Sequence, residues 1–380
     1  LGILGIHWME TVRKKQKTGL YLLVSALVFT LSGCGEKSLL RESDPVTLNF
    51  WHVYGEQSGS PMDLLVQEFN RTVGQEKGVR VQVTNLSSAS KIGGFLKEAQ
   101  KGGRDAPEMP DLFTCHISDA TALGSDNLVD WNARFTAEEL SNFVPGFLAD
   151  GMTEDGTLLL FPISKSTQLL MCNGSGFARS LAQGHVVVSD LYSNTQVMTG
   201  DVLSGLGSSA AILYYNDTVT YRDGTQEPMD LHVLPMPKTA GADALMTQAG
   251  VGLCAYKTTD QKAEAAALFV RWLTESERNL DFVAQTGYMP VRNGAFDAIE
   301  NYDKFPEPTE SYRQLYAALK IMQESYTPLS EPRFEGYYGK VSQLYDGLRQ
   351  MQQKLPARAA AGESIDTLAE ETWALLCAIH

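Results

Sequence analysis

"VTLNFWHVYGEQSGSPMDLLVQEFNRTVGQEKGVRVQVT", residues 46–84, sets the architecture. Val46, Leu48 and Phe50 alternate with polar neighbours, so one face of an extended strand over 46–53 is apolar. Ser60 then offers an N-cap oxygen, and Pro61 suits a first helical position. Met62, Leu65, Val66 and Phe69 follow at helical spacing and make one apolar stripe. Alternation returns in "GVRVQVT", where Val79, Val81 and Val83 point one way. Further on, "KIGGFLKEAQKGG" (91–103) predicts a second helix stopped at Gly102, and "MPDLFTCHI" (109–117) a third strand. The order β-α-β-α-β predicts a parallel, doubly wound sheet. Such sheets hold ligands beyond the carboxyl ends of their strands. The first strand ends at Trp51-His52-Val53-Tyr54, and the third near His116, Ser118 and Asp119.

The remainder alternates between strand-like and helical text. "GTLLLFPISKSTQLLM" reads as strand around Phe161-Pro162, and "SSAAILYY" and "MDLHVLPMP" as two more strands. "DQKAEAAALFVRWLTESERNLDFVAQTG" is a strong helical region ended by Gly287. Beyond residue 310 the tail is helical in composition. No repeat or low-complexity tract interrupts it.

The first 33 residues have another character. Arg13, Lys14, Lys15 and Lys17 precede the uncharged run Gly19–Leu31, which is shorter than the roughly 20 residues that span a bilayer. A basic start, a short apolar run and a small-residue exit describe a secretory signal. Its exit, Leu31-Ser32-Gly33-Cys34, resembles the bacterial lipobox, in which the cysteine thiol carries diacylglycerol. Cys34 is therefore the expected lipidation site, with 1–33 a signal peptide and 34–45 a tether. The chain has 380 residues and a net charge of −14, and loss of 1–33 makes it more negative. A surface that acidic repels nucleic acid and anionic lipid. Five cysteines, widely spaced and without a C-x-x-C pair, do not describe a disulfide scaffold. Six scattered histidines without H-E-x-x-H give no metal site. No cofactor motif is present, and G-x-x-x-x-G-K-[ST] is absent.

Several phrases, in one order along the chain, resemble a single family. They are the lipobox, "NFWHVYGEQSG", "EFNRTVGQEKGVRV", "MPDLF", "DGTLLLFPISKST", "QAGVGLCAYK" and "AAALFVRWLTESERNLDFVAQTGYMPV". Together they are similar to the extracellular solute-binding proteins, family 1, of sugar-type ABC importers. The resemblance implies an α/β, periplasmic-binding-protein-like fold of type II, with two lobes joined by crossover strands. It implies lobe 1 over 46–165 plus about 250–300, and lobe 2 over 166–249 plus about 301–380. It also implies a hinge motion that closes the lobes on solute, delivery to permease subunits served by a separate ATPase, and no chemistry in the chain itself. The expected place is the outer face of the cytoplasmic membrane, held by lipid. One departure stands out. Cys172-Asn173 occupies the position of the family's tyrosine-asparagine pair, and the connection to "GSSAAILYY" is short, so the second lobe reads as shortened.

Sugars present C–H faces and hydroxyls, so their sites need an aromatic platform and hydrogen-bonding side chains. Trp51 at a strand end is either that platform or a core tryptophan. Tyr54 lies in the loop beyond. Asp119 binds hydroxyls or caps a helix. Ser166 and Thr167 resemble the family's "S-T" at the crossover, where hydroxyls touch ligand or satisfy irregular backbone. Ser208 and Ser209 match a loop of the second lobe facing the cleft. Gly250 marks close approach of backbone to solute. Tyr288 is a candidate second platform, and Arg292 a reader of anionic or polyhydroxy groups. The expected ligand is a sugar or oligosaccharide. Two alternatives stay open: a glycerol-phosphate or glycerophosphodiester ligand, and a lipoprotein that has lost solute binding. An enzyme reading rests on Ser88-Ala89-Ser90-Lys91, Ser118-Asp119 and Lys238-Thr239-Ala240, which approach the motifs of penicillin-recognising serine enzymes. Ala120 and Ala240 break two of those three motifs.

Overall fold

The computed structural model describes residues 39–55, 59–86, 89–173, 192–238, 241, 243–330, 332–334 and 337–363. The signal segment, Cys34, Ser88 and the short connection after Asn173 lie outside the described residues. Eleven strands are used below: β1 (Val46–His52), β2 (Val79–Asn85), β3 (Leu112–Cys115), β4 (Gln168–Asn173), β5 (Ser204–Ser208), β6 (Thr218–Thr220), β7 (Gln226–Pro228), β8 (Leu231–Leu234), β9 (Leu245–Gln248), β10 (Gly252–Ala255) and β11 (Thr327–Ser330).

The opening stretch folds as its periodicity demands. β1 and β2 run parallel in continuous register from Val46 opposite Val79 to His52 opposite Asn85. Between them, Ser60 Oγ accepts the Asp63 N–H at 3.3 Å and starts the helix Pro61–Arg71. Met62, Val66 and Phe69 of that helix are buried against the sheet. Gly78 makes the turn into β2 with φ +68°, and a Cβ there would lie 2.2 Å from the Arg41 carbonyl oxygen. That closeness and that φ both require glycine.

The first sheet has the order β10-β3-β1-β2. β3 is parallel to β1, whereas β10 adds antiparallel at the edge, Gly252 opposite Cys115. The three strands expected from sequence are parallel, and β10, for which the sequence carried no strand signal, is the one antiparallel member. Helices cover both faces. Asp260–Leu273 sets Phe269 against Phe50 and Phe69 at ring distances of 5.8 and 5.0 Å. On the other face, Ile92 and Leu96 of the helix Ala89–Lys101 join Phe113, Cys115, Leu123 and Cys254 in a second apolar cluster. Cys115 and Cys254 are free, fully buried thiols 3.7 Å apart.

A second sheet, β5-β4-β8, is antiparallel throughout. The chain reaches it through 161–168 and returns through 248–253. These two runs hydrogen-bond to each other at Phe161–Leu253 and Ser166–Ala249. Phe161-Pro162 therefore forms a bridge within the crossover, not the strand expected there. "SSAAILYY" is likewise corrected: Ser208 Oγ takes the Ala210 N–H and turns the chain into a 3-10 helix, Ser209–Tyr214. The helical stretch 260–287 divides into Asp260–Leu273 and Ser276–Ala284. The tail forms helices Thr309–Ser325 and Tyr337–Ala360, with β11 between them pairing parallel to β9. Among the described residues no helix is long and apolar enough to cross a membrane.

Candidate functional site

A cavity of about 620 Å³ opens beyond the carboxyl end of β3. That is where a doubly wound sheet leaves its strand ends uncovered. The strand stops at Cys115, and His116, in extended conformation, precedes the short helix Ile117–Leu123. His116, Ser118 and Asp119 all line the cavity. Asp119 stands in the helix's first turn, where a carboxylate is favoured by the unpaired N–H groups. Helix Ala89–Lys101 passes close beside it. A Cβ on Gly93 would lie 2.6 Å from Asp119 Oδ1, so glycine at 93 leaves the carboxylate its place. Lys97 of the same helix stands exposed at the rim.

The opposite wall comes from the crossover and the tail. Gly250 lines it with φ +110°, just after Ala249, which exchanges two backbone hydrogen bonds with Ser166. Gln248, 2 % exposed, donates Nε2 to the Gly146 carbonyl at 3.1 Å and to Ser330 Oγ at 2.9 Å. A carbonyl must receive a donor, so Nε2 points at Gly146 and Oε1 points away, buried without a partner. Asp150 closes the helix Pro145–Asp150 and forms an ion pair with Lys165, whose side chain is 1 % exposed. Two buried opposite charges so close hold each other in place. From the tail come Pro332, Arg333, Phe334 and Tyr337. Phe334 and Tyr337 pack edge to face at 5.6 Å and 87°. Phe334 is 49 % exposed, which leaves ring surface free for an apolar partner.

The cavity thus combines a carboxylate at Asp119, an imidazole at His116, an ammonium at the rim and two aromatic rings. It can grip a polyhydroxylated solute by hydrogen bonds and stack against its C–H faces. Among the described residues no three His, Cys, Asp or Glu side chains gather as metal ligands.

Of the residues singled out from sequence, Asp119 and Gly250 line this cavity. Others gather elsewhere, behind the crossover. Tyr54 is buried, hydrogen-bonds Ser164 Oγ at 3.0 Å, and packs on Tyr288 at 6.2 Å. Burial, and then the nearby Tyr288 phenol, push its pKa well up against the lowering effect of the Ser164 hydrogen bond. The Tyr288 carbonyl accepts the Tyr316 hydroxyl at 2.9 Å. Ser209 N–H donates to the Thr167 carbonyl at 2.8 Å, and both hydroxyl oxygens are buried without partners. Ser166 is also buried and works through its backbone. Trp51 lies half-buried with its ring edge-on to Phe95 at 6.3 Å, on the face covered by helix Ala89–Lys101. Arg292 is apart from both groups. Its guanidinium sits 4.6 Å over the Phe143 ring, and burial lowers its pKa against the raising effect of Glu275 and Glu139. Gln248, Arg333, Phe334 and Tyr337 escaped sequence reading. Pro328 and Pro332, which interrupt the helical tail, were the available signal.

Residues 177–307 match the sequence profile of the family described as bacterial extracellular solute-binding protein. No curated protein matches the chain by sequence. Among solved structures, the chain is similar to a cyclic alpha-maltosyl-1,6-maltose binding protein from Arthrobacter globiformis. The TM-score is 0.60 at 14 % identity, covering 88 % of this chain and 99 % of that one. UgpB from Mycobacterium tuberculosis, solved with glycerophosphocholine, gives 0.59 at 16 % identity, with 88 % and 99 % covered. A family 1 extracellular solute-binding protein from Alicyclobacillus acidocaldarius gives 0.61 at 13 %, with 87 % and 97 % covered. At such identities the likeness is one of fold: type II, periplasmic-binding-protein-like. Residues 177–307 thus resemble the bacterial extracellular solute-binding proteins in sequence, and the chain shares their type II fold.

Proposed function

We propose that this protein is the extracytoplasmic solute receptor of an ABC importer, binding a sugar or oligosaccharide and handing it unchanged to the permease. The observation that carries the reading is the cavity at the end of β3. Its volume, about 620 Å³, accommodates one or two sugar rings, and it pairs hydrogen-bonding groups with exposed aromatic surface. Solved structures of the same fold include a cyclic alpha-maltosyl-1,6-maltose binding protein and a complex with glycerophosphocholine. Asp119 and His116 would hold hydroxyls, Gly250 would let backbone approach, and Phe334 with Tyr337 would stack on the ring. Lobe 1 would comprise 46–165 and about 250–300, and lobe 2 166–249 and about 301–380. Cys34 would carry the lipid that keeps the receptor beside its permease, with the ATPase a separate subunit. Closure of the two lobes on solute would present the docking surface.

An uncharged polyol fits better than a phosphate. Two carboxylates, Asp119 and Asp150, line the cavity, and the Arg333 guanidinium is already engaged by backbone carbonyls. Calorimetry against maltose, xylose oligomers and glycerol 3-phosphate tests the reading. Heat with a sugar, abolished by Asp119→Ala, is the expected result. Heat with glycerol 3-phosphate alone would move the assignment to phosphoesters. No heat across a broad panel would overturn the receptor reading.

A further inference from the structure

We propose that Cys115 and Cys254 are joined by a disulfide in the mature protein, and that the bond forms during folding, before β10 closes on β3. The inference rests on the extracytoplasmic place proposed above, where disulfides form and persist. β3 and β10 are antiparallel neighbours, with Gly252 opposite Cys115 and Cys254 opposite Phe113. The two cysteines are therefore diagonal neighbours, and residues offset by two share a face of the sheet. Their sulfurs lie 3.7 Å apart, in van der Waals contact. Diagonal Cα atoms of an even ladder are about 7–8 Å apart, and a disulfide usually spans about 4.4–6.8 Å. Strand twist draws one diagonal closer than the other, and sulfurs already in contact mark this diagonal as the close one. The surroundings also tolerate loss of both hydrogens. Cys115 donates its S–H to Cys254 Sγ, and Cys254 donates to the Leu159 carbonyl at 3.0 Å. That carbonyl accepts Trp131 Nε1 at 3.1 Å as well, so it keeps a donor when Cys254 has none to give. Ile92, Leu96, Phe113 and Leu123 complete an apolar shell.

The reaction is thiol–disulfide exchange with an external disulfide, carried by an oxidoreductase or a small thiol compound. One cysteine loses its proton, and its thiolate attacks the external S–S bond, forming a mixed disulfide and expelling one thiolate. The thiolate of the second cysteine then attacks the first cysteine's sulfur and expels the other. The two protons end on the two expelled thiolates, so two cysteines are oxidised and one external disulfide is reduced. The folded chain blocks the first step. Both thiols are fully buried, and burial, then the neighbouring Cys254, holds the Cys115 pKa well above that of an ordinary thiol. Exchange therefore belongs to the stage when β10 is not yet seated, and the same burial shields the finished bond from reductants. The bond joins positions 139 residues apart. It ties β10, which follows Gly250 of the cavity wall, to β3, which leads into His116 and Asp119 opposite.

The test supplies the oxidant itself, so its failure speaks against the thiol pair and leaves the place of the chain untouched. The full chain is unfolded, reduced, and refolded in a mixture of reduced and oxidised glutathione. It is then denatured in iodoacetamide and digested without reductant. A peptide linking Cys115 to Cys254 is the expected product. The same mixture, given for the same time to chain already folded under reductant, should leave both cysteines open to alkylation after denaturation. Chain refolded with the bond should melt about 5 °C or more above chain refolded without it, and C115A/C254A should show no such difference between the two treatments. Both cysteines alkylated after oxidative refolding, or either one bonded to Cys172 or Cys377, would overturn the proposal. Equal oxidation of the folded and the refolding chain would overturn its order of events.

Discussion

The two sheets of this molecule are built to different standards of closure. In the first, β3 and β10 are buried at every residue, and helices cover both faces. Trp131 shows how tightly that region is finished. It is fully buried, rings of Phe135 and Phe161 pack on it at 6.3 and 5.8 Å, and its Nε1 donates to the carbonyls of Leu159 and Leu253. In the second sheet, Val233 and Leu231 are buried beside helix Thr309–Ser325, but Leu206 and Leu234 stand 52 % and 37 % exposed. Both occupy the register row of Leu170. A binding site gains from that asymmetry. Its carboxylate and imidazole stand at the end of the closed sheet, and the aromatic rings opposite come from the tail beyond β11.

The largest effect should come from the closed side. Trp131→Ala removes a buried indole and leaves two carbonyls without their donor, a loss of about 3–5 kcal/mol in unfolding free energy. Urea unfolding with an unchanged m-value measures it. Next comes the ion pair that bridges the crossover to the cavity wall. Lys165→Ala leaves Asp150 buried and uncompensated, and should cost about 3–5 kcal/mol, less whatever water enters the gap. Lys165→Met with Asp150→Leu should recover most of that loss, because replacing both charges removes the desolvation penalty. If the double variant is as weak as the single one, the pair is not what stabilises the crossover.

Sequence reading reached the closed side far better than the open one, for physical reasons. Val46, Leu48 and Phe50, and Val79 and Val81, report one buried face through a period of two. Met62, Val66 and Phe69 report another through a helical period. β10 gave no such signal: its residues are buried on both faces, so "GLCA" has no alternation and Gly252 packs on Leu160. "SSAAILYY" is apolar enough for a strand, yet one serine hydroxyl redirects it into a 3-10 turn. At the site, Asp119 and Gly250 were legible because strand ends and crossover glycines are local features. Gln248, Arg333, Phe334 and Tyr337 were not. They reach the cavity only because β11 pairs with β9, a contact between segments some eighty residues apart, and the ion pairs and caps that aim them have no local pattern.

A titration tests the closed sheet from within. His52 is fully buried on β1, its Nδ1 accepts the Tyr54 N–H at 3.1 Å, and its Nε2 therefore carries the hydrogen donated to Asp63 at 2.8 Å. Burial lowers its pKa below the ordinary 6.5, outweighing the raising effects of the Asp63 hydrogen bond and charge. The folded chain therefore holds this proton more weakly than the unfolded chain. Stability from His52 is present above pH 6.5 and drains away as the pH falls below it. His52→Gln keeps a donor toward Asp63 and cannot titrate, so it should flatten the fall in unfolding free energy between neutral and mildly acid pH. An unaltered slope would assign the acid sensitivity to carboxylates elsewhere.

The smallest effect is the most pointed for the comparison. Leu206→Ser and Leu234→Ser change two exposed apolar side chains on one face of the second sheet. A surface substitution of this kind shifts stability by about 0.5 kcal/mol or less. Leu48→Ala, on a strand of the first sheet and fully buried, should cost about 2–5 kcal/mol by the same measurement. The contrast between those numbers is the contrast between the sheets. Were Leu206→Ser to cost as much as Leu48→Ala, the row Leu206–Leu170–Leu234 would be a core facing something, and the second sheet would be closed in solution by another part of the chain or by a second molecule. Measuring the cost at two protein concentrations separates those cases, since only closure by a second molecule weakens on dilution.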